Sequence, residues 1–143
     1  MTTTMTKKEM DLNFGKKNEI KILPTIKRHF GYDNLEIDVN NPFLTIDFIN
    51  DDVCIELKTR RINHDKYETA FIGYNKYQYF KKNRKKLKCH IVYKYEDGLY
   101  YITYDKSLFK TFEKKVQAVW RDGKCENSKV VLIPTNNLIK IED

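Results

Sequence analysis

The chain has 143 residues, 41% of them hydrophobic and 13% aromatic, with a net charge of +7. That length gives one domain with a real core, and the apolar content excludes a disordered polymer. The positive charge directs attention to polyanions, nucleic acid before an anionic membrane.

No apolar run approaches the ~20 residues that cross a bilayer. The start, MTTTMTKKEMDL, lacks the apolar stretch of a secretory signal. Residues 1–12 read as a flexible tail and 13–143 as a single domain. Three scattered cysteines, Cys54, Cys89 and Cys125, make no disulfide framework and no zinc spacing, which predicts a reducing, intracellular compartment. The Lys-, Asn-, Ile- and Tyr-rich composition suits an AT-rich genome such as that of a virus, which would place the protein in host cytoplasm or nucleus.

Residues 14–30 have helical periodicity in Ile22, Leu23, Ile26 and Phe30, with Glu19 on the same side and Pro24 as a bend or restart. LEIDV at 35–39 alternates like a short strand. Residues 43–49 and 53–59 read as two strands joined through Asn-Asp turn chemistry. A long helix is predicted over 66–86, with Ala70, Phe71, Tyr74, Tyr77 and Phe80 as its apolar stripe. Strands follow at 88–95 and 99–104, joined by EDG. A helix is predicted over 106–120, with Leu108, Phe109, Phe112, Val116 and Val119 inward. VVLIP at 130–134 reads as a last strand and NNLIKI as a closing turn or helix. The order predicts an α/β layered domain with a mixed central sheet.

FLTIDFINDDVCIELKTRR, residues 43–61, places charges inside two apolar runs. With a two-residue turn, cross-strand partners sum to 101. One face then carries Leu44, Ile46, Phe48, Val53, Ile55 and Leu57, and the other carries Thr45, Asp47, Ile49, Cys54, Glu56 and Lys58. Asp47 and Glu56 become diagonal neighbours, roughly 5–8 Å apart at Cβ. A four-residue turn sets them directly opposite, and a three-residue turn sets them on opposite faces. Two carboxylates so close suit a hard divalent cation, Mg²⁺ or Mn²⁺, with the Ile55 backbone carbonyl as a further oxygen. Lys58 on the same face would orient a water or steady transition-state charge, and Glu19 would complete the site.

The order Glu19, Asp47, Glu56-Leu57-Lys58 and then a helix resembles the PD-(D/E)XK, or restriction-endonuclease-like, nuclease superfamily. In that family a helix brings a Glu, a hairpin brings an Asp and a Glu-x-Lys, and a helix packs behind. FGKKNE resembles the family's helix start, and the resemblance covers roughly residues 14–104. Ile46 stands where the family often has Pro. The resemblance implies a restriction-endonuclease-like α/β/α layered fold and an Mg²⁺- or Mn²⁺-dependent endodeoxyribonuclease. Small size and basic charge resemble the Holliday-junction resolvases and phage-type endonucleases within it, which implies junction DNA and a homodimer. Some members carry a supporting Gln or Lys on the second helix, and here either Gln78 or Lys76 would take that part.

The phosphate contacts expected on this reading are Arg60, Arg61, Lys76 and the run Lys81, Lys82, Arg84, Lys85, Lys86 and Lys88. Tyr67, Tyr74, Tyr77 and Tyr79 would stack on unpaired bases, although helical spacing makes Tyr74 and Tyr77 core residues first. Two alternatives share these residues. One is a nucleic-acid-binding module of the same fold without chemistry. The other is an RNA endonuclease that adds a histidine, His29 or His64, to the acids.

Overall fold

The structure is a computed structural model that describes residues 21–32, 36–37, 48–121 and 123–141, without the side chains of 36–37 and 120–121. The expected tail, Glu19 and Asp47 lie outside these residues. Helix α1 is described over 21–30 and runs through Pro24, which is exposed. Then come β1 (Glu36–Ile37), β2 (Phe48–Ile49), β3 (Val53–Thr59), β4 (Thr69–Gly73), α2 (Tyr74–Asn83), β5 (Lys88–Tyr95) and β6 (Gly98–Thr103). The chain continues with α3 (Lys106–Lys110), β7 (Lys114–Arg121), β8 (Lys124–Pro134), a 3-10 turn (Thr135–Asn137) and β9 (Ile139–Lys140).

The strands form two sheets. One is six-stranded, in the order β1-β2-β3-β5-β6-β9, and the other is three-stranded, in the order β4-β8-β7. The large sheet is mixed. β3 and β5 run parallel, with α2 in the connection between them, and its other described pairs are antiparallel. The described fold is therefore mixed α/β around a mixed sheet, as expected.

Strand alternation sends each residue set of the large sheet to one side. Phe48, Val53, Ile55, Leu57 and Val92 pack with Ile22 and Ile26 of α1. Cys54, Ile91, Tyr93 and Ile102 pack with Tyr77 and Phe80 of α2, Phe109 of α3, and Ala70, Ile72, Val131 and Ile133 of the small sheet. Each apolar side chain so enclosed contributes ~1.5–3 kcal/mol relative to exposure. The expected apolar face of the hairpin is thus correct for its described residues.

The register of the two-residue turn is not the one formed; the described pairs have that of the four-residue turn. Phe48 pairs with Ile55 and Ile49 with Cys54, sums of 103 rather than 101. The Asn50 side chain makes the turn: its Oδ1 accepts from the backbone N–H of Asp52 and Val53, each at 2.8 Å. Satisfying those two amides lengthens the turn.

Two expected helices are also corrected. Within 66–86, residues Thr69–Gly73 are strand β4, and the helix begins only at Tyr74. Ala70 and Ile72 alternate inward, and every β4 residue pairs with β8. Within 106–120, the helix stops at Lys110, and Lys114–Arg121 is strand β7. Asp105 caps α3 by accepting from the Leu108 N–H at 2.8 Å. Val116, expected inward, is 63% exposed on β7. The β5–β6 hairpin is as expected, and Gly98 at its turn takes φ 143°, a conformation few other residues adopt.

Candidate active site

Glu56 is the fourth residue of β3, a strand flanked by β2 and β5. Alternation sets it on the α2 side with Cys54 before it and Lys58 after it. Lys76 is the third residue of α2, which starts directly after Gly73 of β4. That abrupt strand-to-helix junction sends Lys76 back toward the sheet. Its Nζ lies 3.3 Å from Glu56 Oε2. Glu56 is 5% exposed and Lys76 7%. Charges this deep are retained only when paired, because each loses its hydration.

The surroundings are aromatic and thiol. Tyr93, fully buried, donates its hydroxyl to the Phe71 carbonyl at 3.0 Å. Burial raises the Tyr93 pKa, and the Glu56 charge adds to the rise. Cys54 Sγ lies 3.0 Å from Cys89 Sγ. The hydrogen bond with Cys89, then burial, pushes the Cys54 thiol pKa far up, which favours the protonated thiol. Lys58, partly buried, is in register with Tyr93 on β5.

The expected site residues separate into four groups. Glu56, Lys58 and Lys76 share one side of the sheet. Gln78 is exposed on α2. The sequence offered Lys76 or Gln78 as support, and it is Lys76 that reaches Glu56. That burial also removes Lys76 from the expected phosphate surface. The Ile55 side chain faces α1, and its backbone lies within a strand paired on both sides. Glu19 and Asp47 fall outside the described residues.

The basic residues divide between the two ends of the sheet. Lys81, Lys82, Arg84, Lys85, Lys86 and Lys88 are all exposed. Arg84, Lys85, Lys86, Lys88, Tyr104 and Lys106 help line a groove of about 490 Å³. Lys88 is in register with Val53, at the start of β3. Arg60 and Arg61 follow the other end of β3, ~20 Å away at strand rise. There, with Thr59, Lys94, Tyr95 and Glu96, they line a groove of about 320 Å³.

Neither histidine offered for the RNA alternative joins Glu56. His29 is exposed on α1 and meets Phe30 and Tyr101 edge-on. His64 lies in the β3–β4 loop, where Nδ1 contacts Asp97 Oδ2 and, at 3.0 Å, the Tyr100 hydroxyl. His64, Asp65 and Asp97 offer three donor atoms within 4.8 Å of one another, the one such cluster among the described residues.

Glu56 can fill one place in an Mg²⁺ or Mn²⁺ site. Mg²⁺ is held through one or two carboxylates with waters and substrate phosphates, and a carboxylate oxygen suits it. A cation would share that carboxylate with Lys76. No second acid stands on this side of β3, α2 or β5 among the described residues. The described donors are therefore one member of the expected set.

The sequence did not reveal the Cys54–Cys89 contact. Each is the second residue of its strand, a coincidence that has meaning only once β3 and β5 are known to run parallel. Among the described residues, no helix is long and apolar enough to cross a membrane. Comparison with protein-family models, with curated proteins and with solved structures returns no match to this chain.

Proposed function

We propose that the chain is a metal-dependent endonuclease of the restriction-endonuclease-like fold, hydrolysing phosphodiester bonds in DNA. The observation that carries this reading is the convergence on Glu56. A carboxylate occupies the middle of a central strand, Lys58 follows on the same side, and the helix connecting two parallel strands supplies Lys76 to the carboxylate. Structural needs alone favour an apolar residue at each of these places, since a buried ion pair is commonly no more stable than an apolar substitute.

The Lys76 ammonium pairs with Glu56 and fixes its orientation. Lys58 would hold the attacking water or the charge developing on the phosphoryl oxygens. The water oxygen bonds to phosphorus, the P–O ester bond breaks, and the departing oxygen takes a proton. When bound by Glu56 and Asp47, Mg²⁺ would polarise the phosphoryl oxygen and lower the pKa of its water. Asp47 precedes Phe48 and Glu56 follows Ile55, and Phe48 pairs with Ile55. Asp47, next to that pair in the sequence, is proposed as the second carboxylate. Glu19 remains the third acid proposed.

The test is cleavage of labelled linear duplex, four-way junction, single-stranded DNA and RNA with Mg²⁺, Mn²⁺ or EDTA, beside Glu56→Ala protein. Metal-dependent cutting lost in the variant is expected, and the preferred substrate identifies the class. Binding without cutting in either metal would make the chain a binding module, a reading favoured by the charge neutrality of the Glu56–Lys76 pair.

A further inference from the structure

The groove at the C-terminal ends of β3 and β5 contains a cation unlike the others. Arg60 directly follows β3, and its backbone N–H donates to the Lys94 carbonyl at 2.8 Å, tying it to β5. Its guanidinium lies over the Phe71 ring of β4, 4.0 Å from the centroid. Burial lowers the Arg60 pKa from its ordinary value, while Tyr93 and Tyr95 act the other way. No carboxylate pairs with Arg60 among the described residues, and Glu96, which lines the same groove, is exposed. A partly desolvated guanidinium is ordinarily matched by an anion. Here the Phe71 ring covers one face of the guanidinium, and Arg60 lines the groove. Arg61 and Lys94 add positive charge around it.

We infer that this groove is a phosphate site and that Arg60 is its fixed contact, holding a nucleic-acid phosphodiester at the C-terminal end of β3, on the side that carries Glu56 and Lys58. The inference rests on the nuclease reading and deepens it. Cys54, Glu56, Lys58 and Arg60 occupy alternate positions, so the guanidinium continues the charged side of β3. The lysines at the end of α2 are exposed and must be ordered on binding. Arg60 is already ordered by Phe71 and loses less freedom per bond formed. Its planar fork suits two phosphate oxygens, which a lysine cannot reproduce.

The experiment measures binding of a short labelled duplex by the wild-type chain in EDTA, where no cutting occurs, and by Arg60→Ala, Arg60→Lys and Arg61→Ala. Thermal melts with and without inorganic phosphate accompany it. Arg60→Ala and Arg60→Lys should each weaken duplex binding by about tenfold or more, and Arg61→Ala by about threefold or less. Phosphate should raise the wild-type melting temperature and leave that of Arg60→Ala unchanged. Without ligand, Arg60→Ala should melt no lower than wild type, since it removes a partly buried charge; a structural role would lower it. Duplex binding unchanged in Arg60→Ala overturns the inference and leaves the nuclease reading standing. Phosphate protection through Arg60 with duplex binding unchanged assigns the groove to free phosphate and overturns it equally. Absence of duplex binding by the wild-type chain removes the nuclease reading itself.

Discussion

Lys76 Nζ lies 3.3 Å from Glu56 Oε2, with both side chains nearly closed to solvent. The two residues are brought together by the connection between β3 and β5: β4 ends, α2 begins, and its first turn is aimed at the middle of β3. The charged pair is thus a consequence of topology.

Breaking that pair from either side strands a buried charge or a buried polar group. Glu56→Gln and Lys76→Met should each destabilise the chain by about 3–5 kcal/mol. The double variant should cost less than the sum by at least ~1 kcal/mol, because neither ion is left alone. Urea unfolding of the four proteins closes the cycle, and additive losses would show that the two charges do not act together.

Lys76 and Gln78 were equivalent from the sequence, and the structure separates them. Gln78→Ala should change stability by no more than ~0.5 kcal/mol and leave single-turnover cleavage unchanged. Lys76→Gln should lower the same rate by about a hundredfold, the scale of a lost electrostatic contact at a reacting centre. A large effect from Gln78→Ala would instead place substrate on the outer side of α2.

The contrast shows what was legible. The faces of the β2–β3 hairpin follow from alternation, a local property, and they hold for every described residue. The β5–β6 hairpin was legible for the same reason. β4 and β7 were not, because Ala70, Phe71 and Tyr74, or Phe112, Val116 and Val119, fit a helical spacing equally well. What makes them strands is pairing with β8, some 60 residues beyond β4, and the first half of β8, KCENSK, carries little apolar signal of its own. Glu56 and Lys58 were legible as charges inside an apolar run. That Lys76 closes on Glu56 depends on where α2 begins, at Tyr74 rather than at residue 66 as periodicity alone suggests.

The three cysteines should differ sharply in reactivity. Cys125 is exposed, whereas Cys54 and Cys89 are buried thiols in contact. Nucleophilic thiol chemistry needs the thiolate, which the Cys54 environment disfavours. A chromogenic disulfide reagent should titrate one thiol in the native chain and three in denaturant. Rapid release of three equivalents from the native protein would mean that the β3–β5 strand pair opens readily.

A pH dependence is set by His90. It is 2% exposed on the α1 side of β5, stacked on Phe30 at 4.4 Å, with Nδ1 2.7 Å from Thr103 Oγ1. Its Nε2 has no hydrogen-bond partner among the described residues. Burial, with Lys88 and His29 adding to it, lowers its pKa from 6.5 to about 4. Between those values the unfolded chain holds a proton that the folded chain refuses, so stability falls as pH drops through this window. Above it the contribution is fully present, and below it nothing further is lost. The full difference is about 3 kcal/mol, of which about 2 kcal/mol is lost between pH 7 and pH 5. Urea midpoints at those two pH values should differ correspondingly in the wild-type chain. In His90→Gln, which keeps a polar partner for Thr103, the difference should shrink to what the carboxylates contribute. An unchanged difference in that variant would mean that another group takes up the proton on unfolding.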